Sequence, residues 1–241
     1  MAANAKTSEW AIEVQGLTKS FGSYQALRGV DLKIKSGESV VIFGPNGAGK
    51  TTLIKILSSV MNPSSGKVLV NGLSLKDNAE EARRHIGVVT HQTYLYGNLT
   101  AYENLDFYSR MYDVPSRKER IEELVDMVGM TYRLHERVDT FSRGMQQRIS
   151  IARCLLHKPS IILLDEPETG LDTQATAMLW DIMRQEKRTI ILTIHSLERG
   201  LELCERLLIL VKGKIAYEGM SQALGLAGLQ QAYQQCTTVG V

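Results

Sequence analysis

The sequence predicts an α/β fold built on a mostly parallel core sheet, with an antiparallel β subdomain and an inserted helical subdomain. Three observations carry this. Four short apolar runs, residues 39–43, 161–164, 189–194 and 207–211, are separated by helical patterns. That is the layout of strands buried on both faces of a parallel sheet. Earlier in the chain, Val30, Leu32 and Ile34 alternate with Asp31, Lys33 and Lys35, the period-2 signature of a half-exposed strand. Residues 95–157 contain no run of strand type and read as helix throughout.

Taken in order, residues 39–43 lead into a glycine-rich turn, and 52–60 then reads as a helix. Residues 67–70 form a further short strand, and the Asn71-Gly72 pair behind it is a strong hairpin turn. In the helical block, Thr100-Ala101-Tyr102-Glu103 reads as a capping box that opens one helix. Ser116-Arg117-Lys118-Glu119 reads as a second, opening a helix with Ile121, Leu124, Val125 and Val128 on one face. The run 207–211 ends at Lys212-Gly213, a turn into a last strand over 214–217. Residues 221–241 carry glutamines and small residues without clear periodicity and read as a short helix and a loose tail. The expected organisation is one domain over 1–241. Its core and β subdomain span about 10–92 and 158–220, its helical subdomain about 93–157, and its tail 221–241.

Composition bounds the function. With 28 basic and 26 acidic residues the formal net charge is +2, so no clustered basic excess argues for a nucleic-acid partner, and none is expected. The three cysteines, Cys154, Cys204 and Cys236, have no metal-ligand spacing and no disulfide framework, which fits a reducing compartment. Residues 1–9 are polar and lack the apolar stretch of a signal peptide. No run reaches the roughly 20 apolar residues that span a bilayer. Any membrane role is expected to come through a partner.

The chemistry concentrates at three places. Gly44-Pro45-Asn46-Gly47-Ala48-Gly49-Lys50-Thr51, followed by Thr52, fits G-x-x-x-x-G-K-[ST] between a buried strand and a helix. Glycines let backbone N–H groups turn around an anion, and the following helix adds the positive end of its dipole. Lys50 suits the β- and γ-phosphates of ATP, and the Thr51 hydroxyl suits Mg²⁺. The run 161–164 ends in Asp165-Glu166, two carboxylates at the carboxyl edge of the sheet, where open α/β sheets bind ligands. Two acids after a strand are ordinarily a solvated loop or a helix cap; beside a phosphate loop, Asp165 suits Mg²⁺ and Glu166 the base for an attacking water. His195 closes the run 189–194. A lone histidine there is ordinarily structural, but as a third polar group on the same edge it can reach a γ-phosphate or the attacking water.

Together these residues resemble the nucleotide-binding domain of an ABC ATPase, a P-loop NTPase of ABC type, over about residues 10–220. The resemblance implies further roles. Phe21 matches the aromatic that stacks on adenine. Gln92 matches the Q-loop glutamine that touches Mg²⁺ and the water and senses the membrane partner. Phe141-Ser142-Arg143-Gly144-Met145 stands where the family signature stands, Gly170-Leu171-Asp172 matches the D-loop, and His195 the switch histidine. Ser142 and Gly144 of the signature are retained, whereas Arg143 replaces a glycine and Met145 a glutamine. Ser142 reads as the N-cap of a helix whose N-terminus can face a phosphate. Arg143 either adds to an anion contact or points away.

The resemblance also implies a head-to-tail dimer, with ATP held between the phosphate loop of one copy and Ser142 and Gly144 of the other. Such a dimer drives an integral-membrane transporter subunit from the cytoplasmic face of the cell membrane. The stretch Tyr94-Leu95-Tyr96 with Leu99 is a candidate surface for that partner, or else core packing. The phrases GVVTHQ (87–92), LYGNLTAYENL (95–105) and FSRGMQQR (141–148) resemble the ATP-binding subunit of the haem exporter of cytochrome c maturation. ATPases of drug-efflux and other ABC-2 type exporters share much of this wording. A soluble ABC ATPase acting on ribosomes or DNA, or an ATP-gated regulator without useful hydrolysis, are the readings outside transport.

Overall fold

Alternating and continuous apolar patterns sort into two separate sheets in the computed structural model, which describes residues 9–238. The polar segment read over 1–9 lies outside the described residues except for Glu9, as do the last three residues of the tail. The chain opens with β1 (Trp10–Phe21), β2 (Tyr24–Lys35) and β3 (Ser39–Phe43), then the glycine-rich turn and α1 (Lys50–Leu57). β4 (Ser65–Val70), β5 (Leu73–Ser74), a short α2 (Ala79–Arg83) and β6 (Ile86–Thr90) follow. The helical block holds α3 (Ala101–Met111), α4 (Arg117–Met127) and α5 (Arg143–Leu155). The chain then returns to the core with β7 (Ile161–Asp165), α6 (Thr173–Arg184), β8 (Thr189–Thr193) and α7 (Leu197–Leu203). It ends with β9 (Arg206–Val211), β10 (Lys214–Met220) and α8 (Ser221–Thr238).

The antiparallel sheet runs β2-β1-β4-β5, and the larger one β10-β9-β3-β8-β7-β6, parallel except for β10. The continuous apolar runs are explained by burial on both faces. Val41, Phe43, Ile162, Leu164, Leu207 and Ile209 enter the core under the helical block and α6. Val40, Ile42, Ile161, Leu163, Leu208 and Leu210 enter the core shared with α1 and the antiparallel sheet. Fully burying each such side chain contributes about 1.5–3 kcal/mol relative to leaving it exposed. α7 packs so closely over β3 that a Cβ on Gly200 would collide with the Phe43 ring.

Register decides what the core presents. Ile42 pairs with Thr193, Asp165 with Thr193, and Thr90 with Asp165. Four parallel strands therefore finish level, and the residues after them, Gly44, Gln92, Glu166 and His195, leave from one edge.

Several local expectations hold and others need correction. The Thr100 capping box forms: Thr100 N donates to Glu103 Oε2 at 2.8 Å, and Glu103 N donates to Thr100 Oγ1 at 3.1 Å. Ser116 makes no such box, because its backbone is left-handed (φ 46), and a capping hydroxyl reaches the N3 amide only from an extended backbone. The helix read over 52–60 runs instead from Lys50 to Leu57. The tail is not loose as far as Thr238. α8 breaks at Gly225 (φ 58, ψ 174) and then docks through Leu229 and Ala232, with Tyr233 and Cys236 beside them. That spacing is a helical stripe made of small or weakly apolar residues. Two strands went unread because their apolar patterns are interrupted: register shifts around Gly16 break the alternation of β1, and Gly87 splits the apolar run of β6.

Candidate functional site

The glycine-rich turn works because of what surrounds it. Gly49 has φ 108, and a Cβ there would lie 2.6 Å from the Ala26 carbonyl oxygen, so neither its backbone nor its space admits a side chain. It precedes α1 without a side-chain cap, leaving the first N–H groups of that helix directed outward. Lys50 is only 6% exposed and folds back over the turn, donating to Gly44 O at 2.7 Å and Pro45 O at 3.2 Å. Burial lowers the pKa of its ammonium, while Glu166 and Asp165 pull it back up.

These residues line a cleft of about 240 Å³, walled by Asn46 to Thr52 with Phe21, Tyr24, Ala26 and Glu166. Phe21 and Tyr24 are paired across the β1–β2 hairpin and both half exposed. Phe21 carries Lys19 Nζ over its ring at 5.2 Å. The Tyr24 hydroxyl donates to Gly47 O at 3.0 Å. Tyr24 escaped the sequence reading; the signal was its mirror position to Phe21 across the Gly22-Ser23 turn.

The two acids differ sharply. Asp165 is 2% exposed and accepts at Oδ1 from Thr193 Oγ1 at 2.6 Å. Glu166 has a left-handed backbone (φ 51), and its N–H donates to both Thr193 O and Thr193 Oγ1 at 3.1 Å. This turn swings the Glu166 carboxylate out into the cleft, with Oε1 2.8 Å from His195 Nε2. Gln92 stands exposed beyond β6; its carbonyl accepts from Thr90 Oγ1 at 2.5 Å, and its side chain does not line the cleft.

Ser142, Gly144 and Asp172 lie elsewhere. They line a second cleft of about 370 Å³ with Tyr132, Arg133, Met145 and Arg148, which shares no residue with the first. Ser142 caps α5, accepting from Met145 N at 3.3 Å, and Asp172 caps α6, accepting from Ala175 N at 2.7 Å. The Arg143 stem crosses the D-loop, its Cδ 2.9 Å from where a Cβ on Gly170 would stand. One chain thus offers two half-lined clefts.

Hydroxyl, carboxylate and amide oxygens such as those of Thr51, Asp165 and Gln92 are hard donors of the kind Mg²⁺ takes. No cluster of three His, Cys, Asp or Glu among the described residues could cage a metal. The donor set fits an ion that arrives with phosphates and water as its other ligands. No helix of the described residues is long and apolar enough to cross a membrane.

Comparison with known proteins bears on this geometry. A family model described as "ABC transporter" matches residues 27–169. The "ABC transporter ATP-binding protein NatA" of Bacillus subtilis is 38% identical over 206 residues, 83% of this chain and 84% of that protein. The "Nod factor export ATP-binding protein I" of a Rhizobium species is 36% identical over 222 residues, 90% of this chain and 73% of that one. The "Dimeric structure of a post-hydrolysis state of the ATP-binding cassette MJ0796 bound to ADP and Pi" is similar with a TM-score of 0.79. It is 29% identical, and the match covers 87% of this chain and 98% of that one.

Proposed function

Because the chain belongs to the ABC transporter family, as an ATP-binding and ATP-hydrolysing subunit, we propose that it drives a separate membrane-spanning exporter by closing on ATP as a homodimer. The observation that carries the reading is the single sheet edge where Lys50, Asp165, Glu166 and His195 converge. Phe21 and Tyr24 bracket the adenine side of the first cleft. The backbone from Gly44 to Thr51 and the outward amides of α1 take the phosphates, and Lys50 exchanges two carbonyl acceptors for phosphate oxygens. Thr51 and Asp165, with Gln92 from the neighbouring loop, would hold Mg²⁺, which supplies neutralisation of charge developing on the β- and γ-phosphates. Glu166 takes the proton of the attacking water, held in place through His195 Nε2.

The second cleft belongs to the partner copy's nucleotide. Ser142, Gly144 and the N-terminus of α5 face the γ-phosphate held by the opposite phosphate loop, with Asp172 at the junction. The similar cassette, described as dimeric and bound to ADP and Pi, supports a pairing of two copies. The Tyr94-Leu95-Tyr96 stretch docks the membrane subunit at the cytoplasmic face. Tyr96 and Phe107 support that role, meeting edge to face at 5.4 Å with both rings half exposed.

For cargo, the wording of residues 87–92, 95–105 and 141–148 supports haem export for cytochrome c maturation. The Nod factor export relative favours a second reading, efflux of a drug or another small molecule. Reconstitution with the membrane subunit separates them, since the true cargo stimulates ATP turnover and the other does not. For the ATPase itself, Glu166→Gln tests the assignment. Turnover should fall by about 10²-fold or more; turnover within a factor of two of wild type would remove Glu166 as the base.

A further inference from the structure

Glu168 lies two residues beyond Glu166, and the hydrolysis proposed above makes no use of it. Its carboxylate nevertheless joins two helices, α6 and α7. Oε1 accepts from the Trp180 indole N–H at 2.6 Å and from Arg199 Nη2 at 3.2 Å. Trp180 belongs to α6 and is only 5% exposed. Arg199 belongs to α7, four residues beyond His195. The neighbouring Pro167 carbonyl accepts from the buried Gln147 of α5 at 3.3 Å. Within the loop, Thr169 N donates to Glu166 O at 3.2 Å and Leu171 N to Glu168 O at 3.0 Å.

Two contacts therefore join the loop of Glu166 and Glu168 to the segment that runs from His195 into α7. Glu166 pairs with His195 at 2.8 Å on the cleft side, and Glu168 pairs with Arg199 at 3.2 Å behind it. The left-handed backbone of Glu166 is a conformation that a residue with a side chain keeps only where its surroundings over-determine it. Two such surroundings are visible: Thr193 from below and the Glu168 junction from downstream.

We infer that Glu168 is a positioning residue that, through Trp180 and Arg199, clamps the loop bearing Glu166 against the loop bearing His195. The inference rests on reading Glu166 as the base. Indole and guanidinium groups only donate hydrogen bonds, so the junction requires an acceptor at this reach. Glutamine supplies one through its amide oxygen. Aspartate is a methylene short, and alanine supplies none.

The chain has two tryptophans, Trp10 and Trp180, so a Trp10→Phe parent isolates Trp180 as a fluorescent reporter of the junction. ATP turnover and Trp180 emission are measured in that parent for Glu168→Ala, Glu168→Gln and Arg199→Met. Glu168→Ala should lower kcat about tenfold with KM within about a factor of two, and should shift the emission. Glu168→Gln should restore the emission and most of kcat. Arg199→Met, which leaves the Trp180 bond in place, should lower kcat several-fold without moving the emission. If kcat stays within twofold of the parent in both Glu168→Ala and Arg199→Met, the junction is only structural and the inference is overturned. It is equally overturned if Glu168→Gln loses as much kcat as Glu168→Ala. Loss of the Glu166 reading has a different signature: Glu166→Gln keeps its turnover, whatever the Glu168 variants do.

Discussion

Thr193 is the residue on which both acids turn. Its hydroxyl donates to the buried Asp165 carboxylate and accepts from Glu166 N, and its carbonyl accepts from the same N–H. Thr193→Val keeps the shape and removes the hydroxyl, leaving a buried carboxylate oxygen without that donor. We expect a loss of about 1–3 kcal/mol in urea denaturation, together with reduced ATP turnover as the Glu166 turn loosens. Lys50 behaves in the opposite sense. Burial disfavours its charge, so Lys50→Met should leave the nucleotide-free chain at least as stable in a thermal melt. The same variant should abolish the rise in Tm that ATP gives the wild type, because that rise follows from binding to the folded state alone. An undiminished rise would mean that Lys50 does not hold the nucleotide. Asp165, Glu166 and His195 were legible in sequence because polar groups that end apolar runs stand out. Thr193 was not, because a threonine inside a strand is an ordinary β-former. Glu168 was hidden for a related reason: its partners Trp180 and Arg199 are brought to it only by the fold.

At the scale of elements, close approach governs what can change. α7 rides directly on Phe43 through Gly200, so Gly200→Ala should cost about 1–3 kcal/mol by overpacking, read as a lower urea midpoint with an unchanged m-value. An unaffected midpoint would mean that α7 lifts off β3 freely. The end of α5 carries a pH-sensitive contact. His157 stacks on Tyr112 with ring centroids 4.0 Å apart, its Nε2 lies 3.0 Å from Ile86 O, and its buried Nδ1 has no hydrogen-bond partner. Desolvation, with Arg153 nearby, lowers its pKa to about 4 from the ordinary 6.5, against the hydrogen bond to Ile86. Between those values the unfolded chain binds a proton that the folded chain refuses. Stability should therefore fall as pH drops from about 6.5 towards 4, by roughly 3 kcal/mol from this group. The slope should flatten in His157→Phe; an identical slope would exclude His157 as its source. Strands of the parallel core were legible because burial on both faces writes continuous apolar runs. β1, β6 and the docking stripe of α8 were not, since a bulge, a glycine and small residues erase the period that sequence reading depends on.

At the scale of the whole molecule, the two clefts share no lining residue. One has the phosphate loop and Glu166 but no signature residue, and the other has Ser142, Gly144 and Asp172 but no phosphate loop. The order of motifs along the chain announced both halves. Only the fold put them in separate clefts and carried the Arg143 stem across Gly170. On the proposed function, a second copy completes a site divided in this way, and hydrolysis is expected to keep the completed state from accumulating. The most direct measurement is the molar mass of Glu166→Gln in solution, with and without ATP and Mg²⁺, by light scattering after size exclusion. One chain is expected without nucleotide and two with it, reverting to one chain when Ser142→Arg is added to block the second cleft. A mass of one chain under saturating ATP would rule out the ATP-closed dimer.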